Sequence, residues 1–201
     1  MVLDCVDWLM VATKAAQVID SKVRSVVIYF AYRLGGRLPL NSVRIMKLAY
    51  LAELKAIETR GKKLTSAVFK NWFYGPFSDS VMKAIETASP EVKTQLRVTP
   101  KGRTGKFLLP AKSRVKIDLP SEELDILAQV ADEWGFVDNE TLVAQTKLSP
   151  PFKWTEFGQE IPFGEYADFL AKFDRAKRGK LGRVIVLKSE ADIKQFARGA
   201  P

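Results

Sequence analysis

The chain contains no histidine and a single cysteine among its 201 residues. Without histidine, neither a histidine-based triad nor a histidine-ligated metal site can be assembled. One cysteine excludes an intramolecular disulfide and a cysteine-based zinc site. Cys5 sits among apolar residues and reads as a small hydrophobe on a helix face. Long apolar runs are missing too. The longest, Val26 to Tyr32, is bracketed by Arg24 and Arg33, whereas a bilayer span needs about 20 residues. The N-terminus lacks a basic start before an apolar core, so no signal peptide is expected and a cytoplasmic protein is. Internal repeats and low-complexity tracts are absent. Gly105-Lys106 is not followed by Ser or Thr, so it is no phosphate loop. No helix-turn-helix signature or aromatic RNA-binding motif is present.

What remains is a chain rich in apolar residues (47%) with a net charge of +9. That content argues against disorder, and the length suits one domain with additions. The charge is unevenly spread. Lys93 to Ile117 holds eight Lys/Arg and no Asp/Glu, and Lys172 to Pro201 holds nine against three. Asp118 to Asp168 has twelve acids against two lysines. Two segments therefore make the protein basic.

Apolar positions from Leu3 to Ile19 recur at helical spacing, which reads as a packing helix ahead of a partner-binding one. Asp20 or Ser21 can cap a second helix through Leu34, with Gly35-Gly36 as the stop. Asn41 caps a central helix whose stripe is Val43, Met46, Leu48, Ala49, Ala52 and Ala56. Lys47 and Tyr50 lie three apart on one side of it. A snorkelling stem for Lys47 ranks ahead of a partner contact. Phe69 to Phe77 suits a buried strand or extended segment, and Pro76 suits the first turn of the next helix, Ser78 to Ala88. Tyr74-Gly75-Pro76 reads first as a structural turn. Trp72 and Tyr74 are alternatively exposed anchors.

Lys93 to Ile117 reads as a hairpin, with Arg114 to Ile117 as a candidate third strand. Its cations Arg97, Lys101, Arg103, Lys106, Lys112, Arg114 and Lys116 are either a solvated face or a binding face for an acidic protein surface or phosphates, evenly balanced. Ser121-Glu-Glu opens a helix to Trp134, ended by Gly135, with acids at the positive end of its dipole. Asp138 caps a short helix that Pro150-Pro151 ends, and Trp154 and Phe157 are expected to pack on the core. A helix over Glu165 to Lys177 follows. Arg175, Lys177 and Arg178 lie in a basic linker before a βα tail, Arg183 to Leu187 and onward, that could pair at a sheet edge here or in another chain. Helix faces and dipoles explain the carboxylates more simply than acid–base chemistry does. The expected fold is α+β, mainly α: a compact helical domain with a small antiparallel hairpin, an N-terminal extension over 1–20 and a tail over 171–201.

Lys47, Leu48, Tyr50, Gly61, Leu64, Thr65, Tyr74, Gly75, Pro76 and Phe77 form a pattern that resembles the Panacea domain of SocA-like antitoxins. Glu122 to Leu127, Thr141-Leu-Val and Pro151-Phe-Lys-Trp154 are also similar, and the resemblance spans Ser21 to Pro162 within an expected domain of 21–170. It departs at a histidine that the family often carries shortly before that tryptophan. The family, found in bacteria and phage-associated loci, implies an antitoxin that binds and blocks a cognate toxin. In one branch it implies an adaptor handing the toxin to a Clp-type protease. It implies no catalytic residues, cofactor or metal. Lys47, Tyr50, Trp72, Tyr74, Gly75, Pro76 and Trp154 are the partner-binding candidates. Homo-oligomer formation through the N-terminal helix or the tail is open, no membrane partner is expected, and a nucleic-acid binder that regulates its own operon is the alternative.

Overall fold

The computed structural model describes residues 20–98, 102 and 104–172. The expected N-terminal helix, the βα tail and five of the candidate cations (Lys101, Arg103, Arg175, Lys177 and Arg178) lie outside them. Within the described residues seven helices and one two-stranded antiparallel sheet occur, about 52% of them helical. The fold is α+β, mainly α.

Helix α1 (Ser21–Leu34) starts where the Asp20 carboxylate accepts the Lys22 amide at 2.8 Å. It buries Val23, Val26, Val27, Phe30, Ala31 and Leu34, one stripe at three-to-four spacing. Gly36, not Gly35, supplies the left-handed residue after it. Helix α2 (Ser42–Arg60) is capped by Asn41, which accepts the Arg44 amide at 2.9 Å, and closes at Gly61 with φ 70°. Nearly every residue from Arg44 to Ile57 is buried. A helix buried on nearly every side must sit in the middle of a core. Five helices lie against α2: α1, α3 (Asp79–Glu86), α4 (Ser121–Trp134), α5 (Asn139–Leu148) and α7 (Phe163–Ala171). Val43 departs from the expected stripe and is exposed, because it lies one residue inside the N-terminus, before the packed turns begin.

Three buried polar groups on α2 tie down distant backbone. The Arg44 guanidinium donates to the carbonyls of Gly135 and Val137 at 2.9 and 2.6 Å, beyond the end of α4. A cation there satisfies orphan acceptors at the negative end of a helix. Lys47 and Glu53 hold two loops. Glu123, buried in the first turn of α4, pairs with Lys22 at 2.8 Å and Arg60 at 3.2 Å, so it links α4 to α1 and α2.

Strand β1 (Val92–Val98) pairs with β2 (Thr104–Pro110) in register from Val92↔Pro110 to Val98↔Thr104. The hairpin is as expected, but Arg114 to Ile117 adds no third strand. Val115 and Ile117 turn inward against the core instead, leaving that backbone free of a ladder. Asp138 caps α5 as expected, accepting the Thr141 amide at 2.8 Å. Pro150 and Pro151 do not simply end it: they open the short helix α6 (Pro150–Lys153), where a missing amide donor costs nothing. Among the described residues no helix is long and apolar enough to cross a membrane.

Candidate binding surface

Phe69 to Asn71 runs between two other segments. Lys70 and Phe77 exchange backbone hydrogen bonds at 2.8 and 3.0 Å. On the other side the Asn71 amide donates to Gln159, Gly158 donates back to Asn71, and Ile161 donates to Phe69. The chain between Lys70 and Phe77 must therefore reverse within six residues. It does so through a β-turn closed by the Gly75 amide on the Trp72 carbonyl at 2.9 Å, with Gly75 at φ 83°. The two central residues of such a turn point outward. Phe73 and Tyr74 are accordingly 67% and 75% exposed. The expected buried strand thus ends at Phe69, and the aromatic run is a surface turn. Pro76 is not in the first turn of α3 but precedes its cap, Ser78, by two residues.

The turn is held from beneath and from the side. The Lys47 ammonium, 3% exposed, donates to the Pro76 carbonyl at 2.7 Å. It does not snorkel, because a buried acceptor lies within reach of its stem. Lys147 on α5 donates to the Phe73 carbonyl at 2.9 Å. A side chain on Gly75 would meet the Thr146 hydroxyl at 3.0 Å and the Lys47 ammonium at 3.4 Å. Tyr50, wholly buried, shares a 2.7 Å hydrogen bond with Ser149, whose hydroxyl donates on to the Thr146 carbonyl. Of the sequence candidates, Lys47 and Tyr50 therefore lie inside, and Gly75 and Pro76 form the buried base of the turn. Trp72 and Tyr74 face outward.

Burial, together with the nearby Lys147 charge, brings the Lys47 ammonium down to about 7. The folded state then releases its proton at a pH where the unfolded chain, near 10.5, still holds one. Stability should rise between pH 7 and 10 by up to a few kcal/mol. Above that, burial raises Tyr50 and Tyr166, whose ionisation opposes folding. Denaturant melts across this window should show the rise in the parent chain and none in Lys47→Met.

Trp154 and Phe157 do not enter the core, since the tight turns around Gly158 carry both outward and leave them exposed. Phe157 stacks on Trp72 with ring centroids 5.0 Å apart and planes at 17°, and meets Phe73 at 4.6 Å. Asn71 fixes this pairing by donating its side-chain amide to the Thr155 carbonyl at 2.7 Å. Trp154 belongs to a second group, edge-on to Tyr166 and Phe169. The sequence reading missed Phe73 and Phe157 as surface residues. Phe157-Gly158 offered a turn signal, but nothing local places it beside Trp72, 85 positions earlier.

Lys47 from α2 and Lys147 from α5 thus brace a Tyr-Gly-Pro corner, with Thr146 of α5 beneath its glycine. The model of the antitoxin SocA-like, Panacea domain family matches residues 45–155. The chain belongs to that family. No curated protein and no solved structure matches it. The Panacea match takes in Lys47, Tyr50, the aromatic turn, the hairpin and Trp154, and stops two residues short of Phe157. Membership of an antitoxin family points to binding rather than catalysis and to a toxin as the general class of partner.

The other candidates among the described residues lie in the hairpin and in the segment just after it. Arg97, Lys106, Lys112, Arg114 and Lys116 are all exposed. The hairpin and the aromatic turn share no contact through these residues in the hydrogen bonds and ion pairs of the described chain.

Proposed function

We propose that this protein neutralises a cognate toxin by direct contact, with the aromatic turn as anchor and the basic hairpin speeding encounter with an acidic toxin surface. The observation that carries the reading is the Trp72–Phe73–Phe157 group. Three large rings pack on one another, stay exposed, and sit on a backbone braced at Pro76, Phe73 and Asn71. Rigid, solvent-facing aromatics are what interface hot spots use, because they bury area at little cost in conformational entropy. The cations act at longer range, on the rate of encounter.

Co-expression with the product of the adjacent reading frame should rescue growth and yield a co-purifying complex. In that complex Trp72→Ala with Phe73→Ala should weaken binding by about 2–4 kcal/mol, or roughly 30- to 1,000-fold. The variant should melt like the parent chain, since neither ring is in the core. Independent elution of the two proteins would defeat the reading. Delivery to a Clp-type protease is a finer version: the toxin should then disappear faster in the presence of this chain, and only in cells that hold the protease.

The exposed hairpin cations favour a second reading, a nucleic-acid binder that represses its own operon. Its affinity should fall steeply with salt as counterions are released. Absence of binding, or retention at high salt, rejects it.

A further inference from the structure

The sheet has only two strands, so each has an outer edge. The edge of β2 is closed, because the Leu108 amide donates to the Leu40 carbonyl at 2.8 Å and Asn41 bridges Phe107. Among the described residues nothing pairs with the outer edge of β1. Alternate amides and carbonyls from Lys93 to Val98 therefore point outward. The side chains of β1 alternate as well. Thr94, Leu96 and Val98 share one face, and Lys93, Gln95 and Arg97 the other. Leu96 and Val98 are 64% and 72% exposed, and Lys93 and Arg97 are exposed with them. None of these cations makes an ion pair among the described residues.

An unpaired edge is a template for another strand. A second copy of the hairpin would set Lys93 and Arg97 against like charge, which opposes self-pairing. A nucleic acid would use the cations but leave the amide edge, Leu96 and Val98 unused. The one aromatic in the hairpin strands, Phe107, is buried and offers no base a ring to stack on. We infer that β1 accepts an acidic, extended polypeptide segment of a partner as a third strand. Its backbone lies on the free edge, alternate carboxylates face Lys93 and Arg97, and alternate apolar side chains lie beside Leu96 and Val98. The inference deepens the toxin-binding reading by naming the chemistry of the partner segment at the hairpin.

The full chain is titrated with a labelled peptide of about eight residues alternating glutamate and valine, the length of an ordinary strand. It should bind at least about tenfold more tightly than a lysine–valine peptide, and lose about tenfold when prolines replace its central valines, which removes amide donors. Lys93→Glu with Arg97→Glu should abolish the preference for the acidic peptide. Outward amides of β1 should exchange hydrogen rapidly in the free protein and slow on binding. Equal binding of the proline peptide, or displacement by a DNA duplex of equal charge, would reduce the effect to polyanion attraction and overturn strand addition. Slow exchange along β1 in the free protein would mean that the chain already covers its own edge, and would overturn it too. Peptide failure with intact toxin neutralisation defeats this inference alone. Peptide binding without neutralisation defeats only the functional reading.

Discussion

Glu53→Ala should unfold a large part of the population, with a loss of about 4–5 kcal/mol in denaturant melts. Glu53 lies in the fourth turn of α2 and is almost wholly buried. Its carboxylate accepts the Leu64 amide at 2.7 Å, the Thr65 amide at 3.1 Å and the Thr65 hydroxyl. These bonds fold the loop after Gly61 back onto the helix. Alanine would remove the acceptor and leave two amides with no partner, each worth about 1–3 kcal/mol, together with a void. Glu53→Gln keeps one acceptor oxygen and turns an amide group toward donors. It should cost about half as much.

The same residue sets a pH signature. Burial pushes the Glu53 carboxyl up to about 7, against the loop donors and the nearby Lys63 charge, which pull it down. The folded state then holds a proton that the unfolded chain releases near 4.5. Stability should fall as pH rises from about 4.5 to 7, by at most about 3 kcal/mol. Lys47 acts in the opposite sense above pH 7. The parent chain should therefore show a shallow stability minimum near neutrality. Glu53→Gln should flatten its acid side and Lys47→Met its alkaline side.

Gly75→Ala should cost about 2–4 kcal/mol, well beyond the usual price of a surface glycine. The backbone at φ 83° is left-handed, where a Cβ costs about 1–2 kcal/mol by itself. The added carbon would also crowd Thr146 and Lys47, the residues that brace the corner. Gly61→Ala is the control. Gly61 has φ 70° but open space around it, so only the backbone cost applies. A Gly75→Ala melt no lower than that of Gly61→Ala would show that the close approach carries no energy. Because the turn presents Phe73 and Tyr74, a displaced Gly75 should also weaken toxin binding beyond the loss of folded protein.

Local chemistry was legible. Asp20, Asn41 and Asp138 were readable as caps because a short oxygen-bearing side chain ahead of an apolar run is a local device, and each caps its helix by a side-chain hydrogen bond to a nearby amide. The hairpin and the helix ending at Gly135 were readable for the same reason. Errors arose where an element's surroundings decided its role. Arg114 to Ile117 alternates like a strand, yet its apolar side chains found the core before its backbone found a partner. Trp154 and Phe157 are core-type residues, but their turn leaves them outside.

By itself, the sequence determined a mainly helical chain centred on the helix that Asn41 caps, a basic hairpin, no histidine chemistry, and the family pattern around Tyr74-Gly75-Pro76. Only the tertiary structure decided that Lys47 is a buried clamp, that Glu53 ties a loop, and that Trp72, Phe73 and Phe157 form one exposed group. Caps and turns depend on residues a few positions apart, whereas these arrangements join partners from 11 to 85 positions apart. Which side of a residue faces water is settled only when those distant partners meet.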